Sequence, residues 1–185
     1  MQSNHPNIVE SNRGYTSLLC YKKSVVIYDL TFHFCSRFID VRDRTHDQMI
    51  QAARSGKQNI VEGYVDKATS FEMALKLYNV ARASLAELRE DYLDYLRARG
   101  LRIWEDDSAE KAAMRKLSIE HSDSDYFIRL AESRSAEIIA NMALVLLYQT
   151  EHLLFNFIKS EEMAFVGKGG FKERMYHARV KHRGY

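Results

Sequence analysis

The histidines, cysteines and carboxylates of this chain do not form a pattern that predicts catalysis. Helical bundles that hold catalytic metals use Glu-x-x-His pairs from facing helices, and no such pair occurs in the 185 residues. His33 lies two positions from Cys35, which places these side chains on different faces of a helix. His121 precedes Asp123 and Asp125, but no further ligand accompanies them. We therefore predict a protein without catalytic residues, bound metal or cofactor.

A short polar cluster, Asn59, Glu62, Gly63 and Tyr64, has two interpretations. A carboxylate and an amide one helical turn apart could bind a polar ligand. Alternatively, these side chains lie near a helix end, where they satisfy unpaired backbone groups while Gly63 takes a left-handed C-cap conformation. The structural interpretation is the favoured one.

Basic side chains are concentrated at the C-terminal end. Residues 168–185 hold six Lys or Arg against Glu173, a net charge of +5, whereas the other 167 residues carry 21 basic and 24 acidic side chains, a net −3. This distribution is typical of a tail that meets phosphates or an acidic partner. Arg54 and Lys57 could extend the basic surface. The predicted nucleic-acid contacts are Lys168, Lys172, Arg174, Arg179, Lys181, Arg183, Arg54 and Lys57.

The tail has a pattern of its own. The three glycines of residues 167–170 lack the strand-to-helix context of a phosphate-binding loop and are interpreted as a hinge. Beyond them, Phe171, Met175 and Ala178 fall at helical spacing, which predicts an amphipathic helix that presents its cations outward. The alternative is a solubilising tail that packs on a neighbour and contacts no nucleic acid.

Composition predicts an all-α fold. The chain has a single proline and 46% hydrophobic residues, enough for one core but not for two comfortable domains. Its longest strongly apolar run is too short to span a membrane, and the N-terminus resembles no signal peptide, which indicates a soluble, cytoplasmic protein. We predict a disordered segment over 1–14, a helical bundle over 15–166 and a basic suffix over 167–185.

Periodicity and capping signals predict four long helices and a short one. The third helix has the clearest core stripe, which advances in steps of three and four residues from Phe71 to Leu96. The predicted helices are 17–41; one that starts at a Thr45-x-x-Gln48 capping box and ends near Gly63; one from a Thr69-x-x-Glu72 box to Gly100; a short crossover helix capped by Asp107-x-x-Glu110; and 124–159.

The last predicted helix carries an apolar girdle over residues 138–148, apolar nearly all the way round. A monomeric bundle usually buries one stripe of each helix. The girdle therefore predicts that a neighbouring subunit covers the remaining faces.

The motifs Asn59-Ile60-x-Glu62-Gly63 and Ala81-x-x-Ser84-x-x-Glu87-Leu88, followed by a Gly-Gly-Phe171 tail, stand in a fixed order. This order resembles the bacterial four-helix-bundle proteins first noticed in intervening sequences of 23S ribosomal RNA genes, and the tail resembles the extension of their suffix subgroup. The similarity runs from about residue 18 to the C-terminus, although Lys57 stands where a proline is commoner in the family.

The resemblance implies a left-handed up-down bundle that assembles into a homopentamer. It also implies kinship with the accessory protein of diversity-generating retroelements, a basic ring that binds a reverse transcriptase and nucleic acid. The residues that carry the family motif, Asn59, Glu62, Gly63, Ser84 and Glu87, are expected to have structural roles.

Taken together, the sequence predicts a non-enzymatic oligomer that binds RNA or DNA with little sequence specificity. The alternative is a protein-interaction scaffold, or an accessory subunit, that does not bind nucleic acid. Neither alternative requires a membrane.

Overall fold

Six α-helices make up the part of the chain that the structure, a computed structural model, describes: residues 14–168 together with Tyr176, Arg179 and Val180. The prediction of an all-α fold is confirmed for this part, which contains no strand. Predictions for residues 1–13 lie outside it. A short 3-10 turn at Tyr15–Ser17 precedes α1 (Leu19–Phe38), α2 (Arg44–Asp66), α3 (Phe71–Ala98), α4 (Ala109–Glu120), α5 (Ser124–Ala131) and α6 (Ala136–Lys168).

Helices α2 and α3 form a closely packed antiparallel pair that corrects one prediction. Gly63 does not cap a helix: α2 continues to Asp66, and Gly63 lies buried inside it. A Cβ added at Gly63 would lie 2.6 Å from Cε1 of Tyr78, and one added at Gly56 would lie 2.7 Å from Cδ2 of Leu85. Both glycines are therefore needed because the two helices approach too closely for side chains at these positions.

The core stripe of α3 is confirmed over most of its length. From Tyr78 to Leu96 the predicted apolar positions are buried, and Phe71 and Leu75 at the N-terminal end are half-buried. Gly100 follows the helix with φ +61°, a left-handed conformation in which Leu101 N donates to Leu96 O at 2.9 Å. The predicted end of α3 at this glycine is therefore correct.

The predicted capping residues were wrong, although the helix starts lay within two residues of their observed positions. Asp, Ser and Thr at neighbouring positions can each act as the N-cap. The residue whose side-chain oxygen accepts a hydrogen bond from an unpaired backbone N–H group of the first turn is the cap. Asp43 rather than Thr45 caps α2, Ser70 rather than Thr69 caps α3, and Ser108 rather than Asp107 caps α4.

The predicted single helix over 124–159 is two helices, α5 and α6. The chain breaks over residues 132–135, where Arg37 of α1 donates to Ala131 O at 3.1 Å and so takes a carbonyl at the end of α5. Ser135 then accepts from Ile138 N at 3.4 Å and starts α6. A contact from α1, nearly one hundred positions away, thus supports the break.

Polar side chains of α1 hold the ends of α4 and α5. The buried ammonium of Lys23 donates to Ser118 O and, at 2.6 Å, to His121 O, both at the C-terminal end of α4. Asp29 accepts from Ser124 Oγ at the N-terminal end of α5. Each charge has the sign that the adjacent helix dipole favours. These contacts fix the crossover segment on α1.

The apolar girdle of α6 is covered within one chain. Every residue from Ile139 to Leu147 is buried, because α1 and α3 pack on two sides and α4 with Trp104 on a third. Asn141, the polar member of the girdle, accepts from Trp104 N at 2.8 Å and donates to Arg102 O at 2.8 Å. The inference that the girdle requires a neighbouring subunit was therefore wrong, because the crossover segment covers it.

Within the described part of the chain, α6 alone has the length and apolar character of a membrane span, and 61% of its most apolar window is buried against the other helices. Such burial is typical of the core helix of a water-soluble protein.

Candidate nucleic-acid interface

The C-terminal turns of α6 extend beyond the core. Ile158 is the last buried residue of the helix, and all six residues from 162 to 167 are exposed. Phe165 alone among them has a described ring contact, stacking on Phe71 with ring centroids 4.3 Å apart. The helix runs through Gly167 to Lys168, so the predicted hinge does not begin at Gly167. The basic segment therefore starts at the exposed end of the longest helix.

The structure describes only part of the predicted basic segment. Lys168 is the last residue of α6, and Arg179 is helical and exposed. The other predicted contacts, Lys172, Arg174, Lys181 and Arg183, lie outside the described residues.

Arg54 and Lys57 lie three positions apart on α2 but in different surroundings. Arg54 is exposed on the outer face of α2, whereas Lys57 is half-buried and its Nζ lies 4.1 Å from the centroid of the Tyr28 ring on α1. A cation over an aromatic ring is stabilised there and covers the ring. Arg54 remains available to a phosphate, and Lys57 contributes to packing.

The motif residues Asn59, Glu62, Gly63, Ser84 and Glu87 divide into a packed group and an exposed group. Ser84 lies against α2, where its Oγ is 2.9 Å from Ser55 Oγ, and Asn59 Nδ2 donates to Ser55 O at 2.9 Å. The Ser55–Ser84 contact joins α2 and α3 beside the close approach at Gly56, whereas the Asn59 hydrogen bond lies within α2. Glu62 and Glu87, by contrast, are exposed.

The outer seam between α3 and α6 carries alternating aromatic and charged side chains that the sequence analysis did not single out. Arg89 of α3 donates to both carboxylate oxygens of Glu151 on α6, at 2.9 and 2.6 Å. Burial raises the pKa of Glu151, and the Arg89 charge offsets this only in part. Arg89 and Lys111 also flank the ring of Tyr148, at 5.3 and 5.7 Å from its centroid. In this part of the seam, the charges of Arg89 and Glu151 therefore neutralise each other.

Further along the same seam, two cations lie outside the described ion pairs, although the charge of one of them, Arg82, also lowers the pKa of Glu151. Arg82 of α3 and Lys159 of α6 flank the exposed ring of Phe155, at 5.4 and 4.4 Å from its centroid. Neither forms an ion pair with any residue in the described part. Phe155 and Lys159 lie four positions apart on one helix, a spacing that predicts contact between their side chains. Arg82 comes from a distant segment, and its participation had no local signal.

Among the residues that the structure places, no group of three or more His, Cys, Asp or Glu side chains could hold a metal ion. Cys20 and Cys35 are buried and unbridged, and burial raises their pKa values to about 11 and about 12. Such thiols stay protonated at neutral pH. Neither thiol is poised to act as a nucleophile.

The chain was also compared with known proteins. No family model, curated protein or solved structure matches it.

Proposed function

We propose that this chain is a non-enzymatic, oligomeric helical-bundle protein that binds RNA or DNA with little sequence specificity. The observation that carries the proposal is the exposed end of α6, which leads directly into a segment of net charge +5. A cluster of cations away from the core can neutralise several phosphates at once, and the counterions released from the nucleic acid then drive binding. Binding of this kind does not read base sequence.

The proposed arrangement is a left-handed up-down four-helix bundle of α1, α2, α3 and α6, with α4 and α5 as the crossover. It is supported by the antiparallel contacts of α2 with α3 and of α3 with α6, the latter running from Phe71–Phe165 to Arg89–Glu151. Assembly as a homopentamer in the cytoplasm, without a membrane, and a partner protein such as a reverse transcriptase, belong to the same proposal. They come from the resemblance of the sequence motifs.

The test is a salt titration of binding to short fluorescent RNA and DNA. In one variant Lys172, Arg174, Arg179 and Lys181 are replaced by glutamine. The matched control carries four glutamines on the body instead, at the exposed cations Lys76, Arg97, Arg102 and Lys116.

We expect the native chain and the control to lose affinity as salt rises, with similar slopes. The tail variant should bind more weakly, and its log–log slope should be shallower by about 0.7 to 0.9 for each phosphate contact that is lost. Equal slopes in the tail variant and the control would contradict the proposed contact. They would show that only the total charge of the protein matters, whether the four cations are removed from the tail or from the body.

A second candidate, a scaffold that binds only protein, is favoured by a separate observation. Met163 and Val166, at the exposed end of α6, are 69% and 83% exposed. Neighbouring exposed apolar side chains can form a contact with another protein. The scaffold is the better account if the native chain shows no affinity for either nucleic acid at low salt.

A further inference from the structure

Two faces of the described body have complementary chemistry. The first, here called the α6 face, consists of the cations Arg82 and Lys159 around Phe155, with exposed Tyr148 one heptad earlier on α6. These four side chains lie along the outer seam of α3 and α6. An apolar stripe that carries unpaired positive charge would be covered best by an apolar surface that carries unpaired carboxylates.

A surface of that kind lies on another side of the same chain. Met73, Val80 and Glu87 recur every seven residues on α3 and are exposed. The neighbouring part of α2 adds the exposed Glu62 and Val65. Glu62 and Glu87 form no ion pair with any described residue. These five residues are here called the acidic face.

A further carboxylate beside the acidic face also lacks a partner. Asp91 lies one turn after Glu87, and its Oδ2 is buried without a hydrogen bond in the described part. A buried, unpaired carboxylate oxygen is costly, and a cation from outside the chain would reduce that cost. The excess of acceptors on this side therefore matches the excess of donors on the α6 face.

The two faces cannot meet within one molecule. Arg82 and Val80 are two residues apart on α3 and so point about 200° apart around its axis. Pairing two copies through the same face would place like charges opposite each other, which is unfavourable. The remaining arrangement brings the α6 face of one copy against the acidic face of the next.

We infer that copies of this chain assemble head to tail, with Arg82 and Lys159 of one copy facing Glu62 and Glu87 of its neighbour. The inference deepens the proposed function, since it names the surfaces of the proposed oligomer. A contact between two different faces continues until a ring closes or a filament forms.

The test uses two full-length charge-reversal variants that each destroy one face. The first is Arg82→Glu with Lys159→Glu, and the second is Glu62→Lys with Glu87→Lys. All four substituted residues are exposed, so circular dichroism should report native helix content for both variants. Lys116→Glu is the control, because Lys116 is exposed on α4 and lies outside both faces. The mass in solution is measured for each protein alone and for a one-to-one mixture of the two variants.

We expect the native chain and the control to have the mass of several chains and each variant alone to have that of one chain, 21.6 kDa. The mixture should regain a mass of several chains, because the two unaltered faces still pair and the reversed face of each variant is complementary to the reversed face of the other. A monomeric native chain, variants that keep the native mass, or a mixture that stays monomeric would each overturn the inference. Salt-dependent RNA binding by the monomeric variants would leave the proposed function standing, because their tails are unchanged.

Discussion

At the scale of single residues, the structure separates side chains that the sequence presents as equivalent. Asp91 and Asp94 are both acidic residues on α3. Asp94 is exposed and pairs with Arg97, whereas Asp91 is half-buried with one oxygen unpaired. Burial, and then the charges of Glu87 and Asp94, raise the pKa of Asp91 from 3.8 to about 6.

This difference predicts a change in stability. Because the pKa of Asp91 is higher in the folded state, the folded protein binds more protons between pH 3.8 and about 6, and stability should fall as the pH rises through this window. Asp91→Asn should therefore raise the free energy of unfolding at neutral pH by up to about 3 kcal/mol. Asp107→Asn, exposed in the turn before α4, is the control and should change it little. Denaturant titrations at several pH values would measure both, and an equal response of the two variants would contradict the explanation.

Gly63 gives a second prediction at this scale. Gly63→Ala should cost about 1–3 kcal/mol, because the added Cβ would collide with the Tyr78 ring. Gly167→Ala is the matched control near the end of α6, where no described atom lies within 4 Å, and it should stabilise by at most about 0.5–1 kcal/mol through helix propensity. Thermal unfolding of the two variants should therefore shift in opposite directions. Shifts of the same sign would argue against the close approach of α2 and α3.

At the scale of elements, the position of the crossover segment depends on α1. The buried Lys23 lies at the C-terminal end of α4, and burial lowers its pKa from 10.5 to about 8. Between these two pH values the unfolded chain binds the extra proton, so stability should rise as pH increases from about 8 to 10.5.

Replacing Lys23 by methionine should remove this rise, which amounts to at most about 3 kcal/mol. The variant should also expose the amides of α4 to faster hydrogen exchange, because two carbonyls at its C-terminal end lose their donor. Lys22→Met, exposed on the same helix, is the control. If the free energy of unfolding changes with pH in the same way for the native chain and for Lys23→Met, then Lys23 does not titrate in this range.

Sequence reasoning succeeded where the determining contacts are local. The α3 stripe and its end at Gly100 follow from spacing and from one left-handed glycine. The role of Gly63 depends on Tyr78 across a helix pair, and the break before α6 involves Arg37 from α1. The prediction for the girdle failed for the same reason, since Trp104 and α4 cover it only after the chain has folded.

The candidate site divides in the same way. A net charge of +5 in the tail can be read from composition, whereas the cluster of Arg82, Phe155 and Lys159 joins two helices whose residues are over seventy positions apart. No periodicity within one helix reveals which cations will lack a carboxylate.

At the scale of the whole molecule, the proposed function assigns different tasks to different regions. The bundle supplies the faces through which copies associate, and the basic segment after α6 supplies the contact with phosphates. Repetition of a +5 segment around an assembly would increase its effective concentration on a single nucleic acid. Loss of assembly should therefore weaken binding to long RNA more than binding to a short oligonucleotide that reaches one tail.

The measurement that tests this account most directly is sedimentation velocity of the full chain with fluorescent RNA at low and high salt, recorded at both protein and dye wavelengths. The account predicts a species of several chains that carries the RNA at low salt and releases it at high salt while keeping its own mass. Sedimentation of the protein as a single chain, with the RNA sedimenting free at low salt, would contradict it.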